Sequence, residues 1–143
     1  MKALVRKRAR ITRVRAAQHL LAASAAASAE AQVASLENNA AKLASLRDSL
    51  TLPAGAMSGA VLRNRGELAL RLDNARHGLT GAITSAKATA EKKLAERLEA
   101  RQRQESAAKL DARAVRALAD WTETRIGASF RPRPARPVAE EED

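Results

Sequence analysis

Two long stretches of the chain contain no proline and little or no glycine. A short segment that contains both residue types separates them. Residues 3–50 contain no proline and no glycine, and residues 67–126 contain no proline and only two glycines. Alanine, which has the highest intrinsic helix propensity, supplies 35 of the 143 residues. Pro53, Gly55 and Gly59 lie between the two stretches, and a proline disfavours helical geometry at the residue before it. The sequence therefore predicts two long helices joined by a short connection.

The predicted fold is all-α, a long antiparallel two-helix coiled-coil hairpin with a flexible C-terminal tail. Sheets are disfavoured because β-branched and aromatic residues are scarce, with one Trp, one Phe and no Tyr. The unequal helices predict a free extension of the second one, near residues 91–109 and beyond. We expect a first helix over residues 1–52 with a basic arm at 1–15, a turn over 53–60, a second helix over 61–127 and a disordered tail over 128–143.

Local signals indicate where the second helix begins and ends. Asn64 and Glu67 have the spacing of a capping box, so the helix is expected to begin there or one turn earlier. Gly127 follows the apolar Ile126 and is typical of a residue that stops a helix.

Leucines predict the seam along which the two helices meet. Leu36, Leu43 and Leu50 recur every seven residues, which is the repeat of a coiled coil. A seam rich in alanine buries little apolar area, so we expect marginal stability alone and either a partner or self-association. The predicted seam residues are Leu36, Leu43, Leu46, Leu50, Leu94, Leu98 and Trp121.

The sequence offers no candidate for catalysis, so we expect a protein that is not an enzyme and that has no catalytic, cofactor-binding or metal-binding residues. Cysteine is absent, which excludes disulfides, thiolate metal sites and cysteine nucleophiles. His19 and His77 are isolated, and no histidine–glutamate spacing resembles a zinc-binding helix. No stretch approaches the roughly 20 apolar residues that span a bilayer.

Most of the net charge of +10 comes from the N-terminal basic arm, residues 1–15, which holds seven basic residues and no acidic one. Three interpretations stay open: contact with nucleic acid or an acidic protein surface, an organellar targeting segment, and the solvated first turns of a helix. Nucleic-acid binding would be non-specific and driven by phosphates, because the chain has too few aromatic rings to stack bases. The candidate residues for contact with an acidic partner surface are Arg6, Lys7, Arg8, Arg10, Arg13 and Arg15.

Residues 56–64 (AMSGAVLRN) lead into the predicted second helix, and residues 101–108 (RQRQESAA) lie late in it. The first segment is similar to the loop that enters the second helix, and the second to a stretch late in that helix, in the FliJ-type proteins of flagellar type III export, which are related to the stalk proteins of injectisomes. Leu68, Leu72, Ala75 and Leu79 match the apolar positions that follow the loop.

The resemblance implies a soluble coiled-coil stalk that binds and promotes a hexameric export ATPase and links it to the export-gate membrane protein and to export chaperones. Leu68, Leu72, Ala75 and Leu79 would face the gate, and the basic arm with the end of the second helix would enter the ATPase. The implied location is the cytoplasm, or the periphery of the inner membrane without insertion. The alternatives are a basic coiled-coil protein associated with nucleic acid and a generic structural subunit that associates with itself.

Overall fold

The computed structural model describes residues 1–51 and 55–130, and they form two helices. Helix α1 spans Lys2–Ser49 (48 residues) and helix α2 spans Gly59–Ser129 (71 residues). The helices pack against each other and the described residues contain no strand, which confirms the predicted all-α helical hairpin. Pro53 of the predicted turn and residues 131–143 of the predicted tail lie outside the described residues.

Three contacts between the helices fix their direction and register. Arg47 Nε lies 3.1 Å from Asp73 Oδ2, and Lys87 Nζ lies 2.8 Å from Glu37 Oε1. Arg8 Nη1 donates to the backbone carbonyl of Leu110 at 3.2 Å. Because the residue number falls on α1 as it rises on α2, the helices run antiparallel.

A seven-residue repeat of shielded positions runs the length of α1 and defines its half of the seam. Successive members are three and four residues apart, which keeps them on one face of a helix that supercoils with its partner. Leu36, Leu43 and Leu50 belong to this series. The whole series is Val5, Arg8, Thr12, Arg15, His19, Ala22, Ala26, Ala29, Val33, Leu36, Ala40, Leu43, Arg47 and Leu50.

Helix α2 contributes a matching series of shielded positions to the seam. Its members also recur three and four residues apart, with Arg76 and Arg97 exposed where the repeat would place them. The shielded members are Arg65, Ala69, Leu72, Leu79, Ile83, Ala86, Ala90, Lys93, Ala100, Gln104, Ala107, Asp111, Ala114 and Leu118.

The seam changes character along its length. Near the loop it is rich in leucine and isoleucine, with Arg47 and Arg65 among them, whereas towards the chain termini it contains Arg8, His19, Gln104 and Asp111. Three polar atoms of that terminal half, Arg8 Nε, His19 Nδ1 and Asp111 Oδ1, are enclosed and have no hydrogen-bond partner among the described residues. In the middle, Ala26 is 0% exposed. A methyl group fills that position completely, so the helices approach closely there.

The ends of α2 differ from the sequence prediction. Ser58 is its N-cap, and the Ser58 hydroxyl accepts a hydrogen bond from the Val61 N–H at 3.4 Å. The cap therefore lies six residues before Asn64. The helix also continues through Gly127, which has no positive φ, and closes with the Phe130 N–H donating to the Ile126 carbonyl at 3.3 Å.

The sequence predicts a free extension near residues 91–109 and beyond, and the structure confines the free part to the last turns of α2. Residues 93–107 include shielded seam members that face α1. Since Arg8 meets Leu110 and α1 begins at Lys2, the first helix ends level with about residue 116 of α2. Residues 117–129, the overhang, thus extend about 20 Å beyond α1.

Candidate partner-binding surfaces

The four residues that the resemblance assigns to the export gate divide between the seam and the surface. Leu72 and Leu79 are half-buried members of the seam, whereas Ala75 is exposed and Leu68 is 46% exposed. Leu68 and Ala75 are seven residues apart and lie one turn before Leu72 and Leu79, so they line the edge of the seam. Only this edge pair is presented to a partner.

The predicted seam residues also divide. Leu36, Leu43 and Leu50 are half-buried in it. Leu46 and Leu94 are exposed at its edges, and Leu98 is 52% exposed on the outer side of α2. Trp121 is exposed because it lies in the overhang, past the end of α1, where Arg125 stands 5.0 Å from the centre of its ring. These last four residues therefore lie outside the shielded series of the two helices.

The basic arm divides in the same way. Arg8 and Arg15 occupy seam positions and are half-buried. Arg8 is tied to Leu110, and Arg15 Nη1 donates to Gln18 Oε1 at 2.9 Å. The remaining candidates, Arg6, Lys7, Arg10 and Arg13, are exposed. The exposed group is available to an acidic partner.

A groove of about 730 Å³, the terminal groove, runs between the two helices beside the basic arm. Exposed Leu4, Ile11 and Leu110 supply its apolar part. Its other lining residues are polar or small: Lys7, Arg8, Arg15, Glu99, Gln102, Arg103, Ser106 and Ala107.

The charge of the terminal groove is strongly positive. Four cationic side chains line it, namely Lys7, Arg8, Arg15 and Arg103, and Glu99 is the one carboxylate among the described lining residues. Glu99 is already paired with Arg103 on the same helix. The groove therefore combines an apolar strip with unneutralised cations, which suits a segment that has apolar and acidic side chains rather than a small substrate.

Sequence reasoning missed Leu4, Ile11 and Leu110. A signal for the first two was present, because they are seven residues apart and each immediately precedes a seam member, Val5 or Thr12. Such positions border a coiled-coil seam. Leu110 has the same relation to Asp111, but a seam member that is an aspartate hides the pattern.

Further exposed apolar side chains lie at two other places on the hairpin. Five of them, the loop-end group, lie near the loop on more than one face of the helices: Leu46, Val61, Leu62, Leu68 and Leu70. The overhang carries Trp121, Ile126 and, at its end, Phe130, which is 81% exposed. Each is a candidate protein contact, since apolar surface left in water favours association.

The described residues give no sign of a metal centre, because no group of three or more potential ligands comes together among residues 1–51 and 55–130. Neither α1 nor α2 contains a stretch long and apolar enough to cross a bilayer. We compared the chain with protein-family models, curated proteins and solved structures, and none of them matches.

Proposed function

We propose that this chain is a coiled-coil stalk component of the flagellar type III export apparatus, which binds and promotes a hexameric export ATPase. The observation that carries the proposal is the shape and charge of the terminal end of the hairpin. There the basic arm, the terminal groove and the overhang lie together at one tip of a rod. The sequence resemblance to FliJ-type proteins supplies the identity of the partner.

The dimensions of the rod support insertion into a ring. Two packed helices measure about 20 Å across, and 71 residues of α2 extend about 107 Å. Beyond α1 the rod narrows to the single helix of the overhang, which would enter the ring first. Arg6, Lys7, Arg10 and Arg13 would then meet the wall of the ring, where acidic side chains would attract them and accelerate association.

The opposite end of the rod supports the linking part of the proposal. Leu68, a member of the loop-end group, and Ala75 are both exposed. With the terminal end held by the ATPase, this end would be free to contact the export gate and export chaperones. The proposed location is the cytoplasm, at the periphery of the inner membrane where the gate lies.

The test is ATP turnover by the flagellar export ATPase of the same organism, with and without this chain, at about 0.15 M salt where exposed charges are screened beyond roughly 8 Å. We expect severalfold stimulation together with hexamer formation. Replacing Arg6, Arg10 and Arg13 with Gln should remove most of the stimulation. The matched control replaces Arg63, Arg71 and Arg76 with Gln, three exposed arginines of α2 near the loop.

Unchanged turnover and no co-elution would overturn the proposal. Duplex DNA binding that weakens steeply with salt and disappears without residues 2–15 would then support the nucleic-acid alternative. Concentration-dependent association in the absence of both partners would instead support the generic structural subunit. Equal losses from the two triple variants would show that net charge, and not the terminal end, determines ATPase binding.

A further inference from the structure

We propose that the acidic end of this chain, residues 138–143, docks intramolecularly in the terminal groove and competes there with an external partner. These residues are Val138, Ala139, Glu140, Glu141, Glu142 and Asp143. They combine two apolar side chains with four carboxylates. The groove offers the complement, an apolar strip formed by Leu4, Ile11 and Leu110 bordered by cations.

The length of the connecting segment matches this docking. Glu140 lies ten residue steps after Phe130, and the prolines among residues 131–137 favour an extended chain that advances about 3.1 Å per residue. Ten such residues cover about 31 Å, equal to about 20 residues of helix. Folded back along α2 from Phe130, this distance brings Glu140 level with Leu110 and Arg8.

The chain must reverse direction after Phe130, and the residues used for that turn shorten the distance that the tail can cover. The acidic residues still reach the level of the basic arm. With about three residues used for the reversal, the remaining seven cover roughly 22 Å and place Glu140 near residue 116, level with Lys2. Asp143 then lies level with Arg8. With or without that shortening, the four carboxylates fall between the levels of Lys2 and Arg15, which is the length of the basic arm.

The charges of the connecting segment are consistent with a tail that folds back along α2. Arg131, Arg133 and Arg136 precede the acidic end. In the folded-back arrangement they would pass the overhang, where Asp120 and Glu123 are exposed. Arg125 also lies in the overhang, which leaves it a net charge of −1. The basic tail residues would therefore pass a weakly acidic stretch of α2, and the acidic tail residues would meet the basic groove.

A second copy of the hairpin fits the terminal groove poorly. Residues 1–15 carry seven basic side chains and no acidic one, so two terminal ends brought face to face would repel each other. The acidic end of the same chain avoids that repulsion. It is also tethered by only about ten residues, which gives it a high effective concentration at the groove.

The absence of cysteine allows a direct test in the full chain. One variant carries Ala117→Cys together with Ala139→Cys. Residue 117 lies on the same flank of α2 as the groove residue Ser106, three turns further along, and level with the expected position of residue 139. The control carries Ala119→Cys with Ala139→Cys, because residue 119 is exposed at nearly the same height on the opposite flank of α2. We expect the intramolecular disulfide to form at least about fivefold faster in the first variant at low salt. The difference should vanish at about 1 M salt, where the Debye length is roughly 3 Å.

A further variant separates charge from proximity. Replacing residues 140–142 with Gln and Asp143 with Asn should abolish the preference for residue 117. Equal rates for the two cysteine pairs, or a preference that survives the loss of the carboxylates, would overturn the proposal. Disulfide dimers as the main product would also overturn it, because the tail would then reach a second copy.

The competition rests on the proposed function, whereas the docking does not. The chain whose tail lacks the four carboxylates should stimulate the export ATPase at a severalfold lower protein concentration than the unmodified chain. A preference for the groove-side disulfide without any ATPase binding would contradict the proposed function and would still support the docking. Stimulation at unchanged concentration would overturn the competition.

Discussion

Arg8 reaches from α1 to the backbone carbonyl of Leu110 on α2, a hydrogen bond that joins residues 102 positions apart in the chain. The guanidinium lies in the seam, where an apolar side chain would ordinarily pack. Its Nε and the neighbouring Asp111 Oδ1 are enclosed without partners among the described residues. The terminal half of the seam is thus held by a charged side chain that is only partly satisfied.

Replacing Arg8 with Leu is expected to stabilise the isolated hairpin by about 1 kcal/mol. The substitution removes an enclosed, unpartnered N–H and adds an apolar side chain to the seam. Urea unfolding followed by circular dichroism measures the change. Arg6→Leu is the control, because Arg6 is exposed on the same helix and its loss relieves the helix dipole equally. Equal effects of the two substitutions would contradict a seam role for Arg8.

Ala26→Leu is expected to lower the free energy of unfolding by about 1–3 kcal/mol, since the larger side chain must push the helices apart. Ala26 is completely buried, whereas Ala25 and Ala27 are exposed. Ala25→Leu should therefore leave stability nearly unchanged. Thermal unfolding of the two variants gives the comparison, and a neutral Ala26→Leu would show that the helices do not meet closely there.

Leu43→Ala and Leu46→Ala distinguish the seam from its edge. Leu43 is half-buried and Leu46 is 54% exposed. We expect a loss of about 1–2 kcal/mol for Leu43→Ala, below the range for fully buried leucines, and less than about 1 kcal/mol for Leu46→Ala. Chemical denaturation measures both. A larger loss at residue 46 would mean that the register of α1 is rotated.

Ser58→Ala is expected to destabilise the first turn of α2 by about 0.5–1 kcal/mol, because the hydroxyl caps the Val61 N–H. Asn64 lies inside the helix, so Asn64→Ala should have no such effect. Amide hydrogen exchange at Val61 reports on this turn directly. Faster exchange in the Asn64 variant than in the Ser58 variant would instead indicate that the helix starts at Asn64, as the capping-box spacing suggested.

Lys93 holds the pKa of Glu96 below its ordinary value of 4.5, chiefly through a hydrogen bond from Lys93 Nζ to Glu96 Oε2 at 2.8 Å. A carboxyl whose pKa is lower in the folded state stabilises that state above its unfolded pKa, and the contribution disappears as the pH falls through the folded value. An NMR titration should place the Glu96 midpoint below 4.5. Lys93→Met should raise it, and an unchanged midpoint would exclude the pair as the cause.

The hairpin was predictable from sequence because its causes are local. Proline and glycine near residues 53–59 interrupt two stretches of helix-forming residues, and leucines at seven-residue spacing mark the loop half of the seam. Extending that series backwards from Leu36 leads to Ala29, Ala22, Arg15 and Arg8. The register therefore continues where the hydrophobicity does not, which is why a search for apolar residues lost it.

The candidate surfaces were less predictable because they depend on how the two helices align. Trp121 has the character of a seam residue, but its exposure follows from α1 beginning level with about residue 116 of α2. No local signal in the sequence sets that alignment. Likewise, Leu4 and Leu110 form one groove only after the hairpin has brought together residues more than 100 positions apart.

The alignment of Arg8 with Leu110 also determines an order of events during synthesis. The basic arm is translated first, and its partner segment follows about 100 residues later, a delay of some 5–20 s at ordinary rates of translation. The leucine-rich turns next to the loop can pair as soon as α2 emerges, since they close the shortest loop. We therefore expect the two helices to pair from the loop towards the termini, so that the basic arm stays unpaired longest.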